Sequence, residues 1–135
     1  MISRTGIDRM RTRLAGVVAL CLLVSGFGCY KKQEALKKVW VTITPGPTPS
    51  DPPSVDIKKA HISKKAEEIC WKLKGGTHFE VNFRGETPFG GSHVFTDANA
   101  CSGAASVSPD PYKEYKYEVT VDGSKPLDPG VIVDP

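Results

Sequence analysis

Beyond residue 10 the chain has no methionine: it holds two, Met1 and Met10. It has no histidine beyond His93, the last of three with His61 and His78. An excess of charge is also missing once the N-terminus is set aside. The whole chain is +3, with 18 basic and 15 acidic residues. Arg4, Arg9, Arg11, Arg13 and Asp8 precede residue 29, and removing them leaves 14 of each sign. A neutral remainder has no electrostatic footprint for nucleic acid. Catalytic signatures are lacking too. There is no Gly-x-Ser-x-Gly elbow, no His-Glu-x-x-His and no phosphate-cradling glycine loop. Ser92 and His93 are chain neighbours, which rarely sets a hydroxyl against an imidazole productively. The carboxylates are scattered among lysines and read as a solvated surface. We therefore expect no enzyme and no cofactor. No internal repeat is visible.

A long apolar run is absent as well. Leu14 to Gly28 is almost wholly apolar, but fifteen residues at about 1.5 Å each fall short of a comfortable membrane span. A basic leader before a short apolar run is the layout of a secretory signal peptide, here residues 1–28. The run closes on Ser25-Gly26-Phe27-Gly28-Cys29. This resembles a bacterial lipoprotein signal, in which a small residue precedes a cysteine that receives diacylglycerol and becomes the mature N-terminus. Gly28 fits that pattern, while Gly26 and Phe27 depart from it. The resemblance implies lipid attachment at Cys29 and a place on the periplasmic side of the cell envelope. Tyr30, where an Asp favours inner-membrane retention, points to the outer membrane. Without acylation the protein would be secreted. Residues 29–38 read as a tether whose Lys31 and Lys32 sit near anionic head groups, at about 1 kcal/mol per charge. A solvated linker is the alternative.

Four cysteines are present: Cys21, Cys29, Cys70 and Cys101. Cys21 lies inside the signal run. Cys70 and Cys101 form an even pair in an oxidising compartment, so a disulfide is expected. It would close a loop of about 32 residues and stabilise the fold by about 3–4 kcal/mol. A free or metal-bound thiolate at Cys101 is the competing reading.

Strand patterns fill the rest. Val39 to Thr44 (VWVTIT) has strand composition. Residues 45–53 (PGPTPSDPP) form an exposed proline-rich loop or stiff spacer. Ile69, Trp71 and Leu73 alternate before a Gly75-Gly76 turn. Phe79, Val81 and Phe83 alternate in HFEVNFRG, as do Tyr115, Tyr117, Val119 and Val121 in EYKYEVTVDG. Such alternation buries one face and wets the other. Most of ISKKAEEIC is expected to be a turn leading into a strand. Short strands punctuated by Gly and Pro, with no long helical period, predict one all-β domain over residues 39–135, an antiparallel sandwich or small barrel. A membrane partner through the lipid and an unknown envelope protein are the expected partners.

The order of these pieces is similar to a known family. A Trp-bearing strand precedes Phe79-x-Val81-x-Phe83, then a Pro88-Phe89-Gly90-Gly91 turn before Phe95. A Tyr115-x-Tyr117-x-Val119 strand follows, and the chain ends on LDPGVIVDP. This resembles the cupredoxin-like (plastocyanin-type) domains of small secreted bacterial proteins, and implies an antiparallel Greek-key β-sandwich. A type 1 copper centre needs two histidines and a thiolate, usually with an axial methionine. In the family the second histidine and the methionine follow the cysteine. Here neither follows Cys101, so no type 1 copper centre is expected. The remaining metal reading joins His78, His93 and Cys101 as ligands of copper or zinc in a periplasmic metal-binding protein related to electron carriers. Against it stands the expectation that His78 points outward, His93 is free and Cys101 is bonded to Cys70.

Overall fold

A computed structural model of the chain describes residues 34–135. Residues 1–28, read above as a signal peptide, lie outside the described residues, as do Cys29, Lys31 and Lys32. Among the described residues there is no helix. The strands are β1 (Lys37–Thr44), β2 (Ser54–Val55), β3 (Lys59–Ser63), β4 (Glu67–Leu73), β5 (Phe79–Asn82), β6 (Val94–Thr96), β7 (Asp110–Lys116), β8 (Glu118–Val121) and β9 (Gly130–Asp134). They form three three-stranded sheets in the orders β2-β1-β4, β3-β9-β7 and β6-β5-β8.

The all-β expectation holds, but the antiparallel one needs correcting. β1 runs parallel to β4, and β3 runs parallel to β9. Hairpin-length links cannot join parallel neighbours, which need a crossover of a dozen or more residues. The proline-rich loop, β2 and β3 supply that length between β1 and β4. The remaining pairings, β1–β2, β5–β6, β5–β8 and β7–β9, are antiparallel.

Element boundaries shift for identifiable reasons. β1 begins at Lys37, inside the segment read as tether, because Lys37 and Lys38 pair in register with Glu67 and Glu68. ISKKAEEIC is mostly strand rather than turn. β3 covers Ile62 and Ser63, β4 starts at Glu67, and the turn between them is closed by Ala66 N–H donating to the Ser63 carbonyl. EYKYEVTVDG is not one strand. The run breaks at Tyr117, whose N–H bonds the Pro129 carbonyl, so that β7 pairs with β9 and β8 with β5. One alternating stretch thus serves two sheets, and Tyr115, Tyr117, Val119 and Val121 are all buried.

Alternation puts Val41, Ile43, Ile69, Trp71, Phe79, Val81 and Phe83 inside. Each fully buried aliphatic or Phe side chain contributes about 1.5–3 kcal/mol over its exposed state. At the centre, Trp71 meets Phe95 at 5.0 Å and Tyr117 at 5.6 Å between ring centroids. Phe83 packs edge-on against Phe89. The Gly75-Gly76 turn needs glycine, since both residues have positive φ and a Cβ on Gly76 would crowd Val121. Asp122, also at positive φ, accepts hydrogen bonds from the Thr77 and His78 N–H groups and so ties this turn to the end of β8.

Candidate functional site

The three residues of the metal reading go to three different partners. His78 points outward from the start of β5, half exposed, and forms an ion pair with Asp97. The Asp97 backbone N–H holds its own carboxyl below the usual carboxylate range; partial desolvation opposes this, and His78 adds to it. His93 is exposed but not free: its Nδ1 lies 2.9 Å from the Phe83 carbonyl, as donor. Cys101 is bonded to Cys70. His78, His93 and Cys101 are therefore not brought together.

The register explains the disulfide. Cys70 and Cys101 are opposed in an antiparallel bridge. The Trp71 N–H bonds the Ala100 carbonyl and the Ser102 N–H bonds the Ile69 carbonyl, at 2.9 Å each. The hydrogen bonds thus flank the pair rather than join it, and this narrow type of pair brings facing side chains closest. The Cα–Cα distance is 4.1 Å. Cys70 is buried although it lies on the strand face opposite Ile69 and Trp71, and Cys101 is its neighbour in the sheet rather than a lid over it. Glu68 Oε1 sits 3.6 Å from Cys70 Sγ. A disulfide sulfur carries no proton, so this is a contact and not a hydrogen bond. Glu68, Cys70 and Cys101 form the one cluster of three potential metal ligands among the described residues. With the sulfurs joined, it offers no thiolate.

Two outer surfaces remain. The first is an open groove of about 420 Å³ between the Arg84–Glu86 turn and β7–β8. Its cations are paired, Arg84 with Glu118, Lys113 with Glu86, and Lys116 with Glu114, which Lys59 also approaches. The Glu86 carboxylate raises the Lys113 ammonium above its ordinary value. Tyr112 beside this region is 96% exposed. Beneath the groove, the Tyr117 hydroxyl and Trp71 Nε1 are buried without hydrogen-bond partners. Burial pushes the Tyr117 phenol up to about 12; the nearby indole N–H pulls weakly the other way without reaching hydrogen-bond geometry.

The second surface is the outer face of β1 and β4. Even-numbered residues point there: Lys38, Trp40 and Thr42 on β1, Glu68, Cys70 and Lys72 on β4. Trp40 is 43% exposed and lies in register with Cys70. The ammonium groups of Lys38 and Lys72 each lie 5.7 Å from its ring centroid, within cation–π range. Among the described residues, no carboxylate lies within ion-pair distance of either lysine. Sequence reasoning missed this surface. Alternation in VWVTIT places Trp40 opposite Val39 and Val41, but the second lysine arrives only through the parallel β1–β4 register. Comparison with family models, with curated proteins and with solved structures finds no match.

Proposed function

We propose that the protein is a non-enzymatic binding or structural module of the cell envelope, anchored through a lipid on Cys29 and built on a cupredoxin-like Greek-key sandwich without a type 1 copper centre. The observation that carries this reading is the outer face of β1 and β4. It offers an exposed tryptophan between two lysines on a sheet stapled by a disulfide. Rigid aromatic and cationic groups of this kind suit recognition. Trp71, by contrast, is core. The bonded state of Cys101 removes the soft ligand that blue copper requires.

Anchoring is tested by phase partition and by mass spectrometry of the mature N-terminus. The protein is expected in the detergent phase with a diacylglycerol-modified Cys29, and Cys29→Ser releases it or stalls processing. An unmodified mature N-terminus overturns the lipid anchor. Copper addition is expected to leave the visible spectrum unchanged. An intense blue absorption would overturn the non-copper reading.

A further inference from the structure

We infer that the outer face of β1 and β4, centred on Lys38, Trp40 and Lys72, docks the domain flat onto the anionic phospholipid head groups of the bilayer that holds its anchor. The inference rests on the envelope-anchored reading above and names the surface that the anchored domain turns towards the lipid.

Three observations carry it. The first is chemical. Trp concentrates at membrane–water interfaces because its ring is apolar and its N–H is polar, and lysine stems reach past apolar groups to place ammonium at phosphate level. Trp40 sits between two such lysines, and Glu68 is the acid at the strand positions of this face.

The second is the distribution of charge. Residues 31–74 contain ten basic and five acidic residues, whereas residues 75–135 contain four and nine. The excess of +5 is matched by one of −5, so the neutral total conceals two opposed halves. The two stretches meet where Lys59 pairs with Glu114, but β1 and β4 both belong to the basic one, so an anionic surface favours their side of the sheet. The groove at β7–β8, by contrast, lines its three cations, Arg84, Lys113 and Lys116, against Glu118, Glu86 and Glu114, which pair with them.

The third is reach. Lys37, where β1 begins, follows Cys29 by eight residues. At about 3.3–3.6 Å per residue the connection spans at most about 29 Å, so an acylated Cys29 keeps β1 within reach of the head groups. Lys31 and Lys32 lie in the same connection. Tethering raises the effective concentration of the lipid surface, so a few weak contacts suffice.

Two readouts separate this docking from anchoring itself. The acylated full chain is reconstituted into vesicles of phosphatidylcholine with or without phosphatidylglycerol. Flotation reports the anchor. Quenching of tryptophan emission by brominated lipids reports docking, since Trp71 is 1% exposed and buried among aromatic rings. The expected result is flotation with both vesicles, but strong quenching and a blue shift only with phosphatidylglycerol. Trp40→Phe abolishes both signals. Each lysine near an anionic surface is worth a factor of about five in partitioning. Lys38→Ala combined with Lys72→Ala should therefore weaken the docked state about 25-fold and leave flotation intact. Salt near 1 M, where the Debye length is about 3 Å, should release the face in the same way. Failure to float points to the anchor and overturns the reading on which docking rests. Flotation with Trp40 still open to aqueous acrylamide overturns docking alone and leaves the face to a protein or glycan partner.

Discussion

The sheet of β1 and β4 has two faces that use tryptophan in opposite ways. Trp71 points inward from β4 and is 1% exposed, against Phe95, Phe83 and Tyr117. Trp40 points outward from β1 and is 43% exposed, beneath two ammonium groups. The strands are in register, Val41 with Trp71 and Trp40 with Cys70. A step of one residue therefore separates core from surface. The side-chain period of two makes the choice, and the neighbours decide its meaning. Rings around Trp71 shut it into the core, whereas the lysines beside Trp40 leave its ring open to solvent.

The inner face should break hardest. Trp71→Ala is expected to lower unfolding free energy by about 3–5 kcal/mol, measured by chemical denaturation, because the cavity would sit at the centre of the aromatic cluster. A loss below about 1 kcal/mol would mean that this ring is not core. Next comes the staple that joins the outer face to the Cys101 segment. Reducing it, or replacing both cysteines by alanine, should cost about 3–4 kcal/mol and lower the melting temperature. The buried phenol next to Trp71 gives the third effect. Its pKa is raised from 10.0 to about 12, so the folded state holds the proton more tightly than the unfolded chain. The associated stability is complete below pH 10 and falls as pH rises towards 12, by about 2–3 kcal/mol. Tyr117→Phe should remove that alkaline slope. Near neutral pH the same change should cost little or nothing, since it deletes a buried hydroxyl that has no partner.

The outer face should scarcely register in stability. Trp40→Ala is expected to cost about 1 kcal/mol or less, the scale of exposed cation–π contacts. His78→Ala, which removes an exposed ion pair with Asp97, should stay within about 0.5 kcal/mol. Denaturation curves of both variants check this. A large loss in Trp40→Ala would make Trp40 a structural residue and remove the contrast with Trp71.

What could be read from sequence was local. The alternation of Phe79, Val81 and Phe83 and the outward position of His78 follow from period-two geometry, and the pairing of the cysteines from there being two of them beyond residue 29. What could not be read was long-range. The parallel pairing of β1 with β4 joins segments about 30 residues apart by backbone groups alone. The break at Tyr117 leaves the alternation intact, because the residues on both sides stay buried while changing sheets. The bond from His93 to the Phe83 carbonyl depends on how the PFGG loop folds back. The Lys38–Trp40–Lys72 stack needs a register that no single strand encodes. Net charge summed over residues 29–135 hides the two opposed stretches of sequence.

The two single-tryptophan proteins, Trp40→Phe and Trp71→Phe, give the most direct test of the contrast between the faces. Their emission spectra and acrylamide quenching are compared in solution and on phosphatidylglycerol vesicles. The account predicts blue, poorly quenched emission from Trp71 in both settings. It predicts red, readily quenched emission from Trp40 in solution, turning blue and protected on the vesicles. Equal behaviour of the two tryptophans in solution, or an unchanged Trp40 on the vesicles, would contradict it.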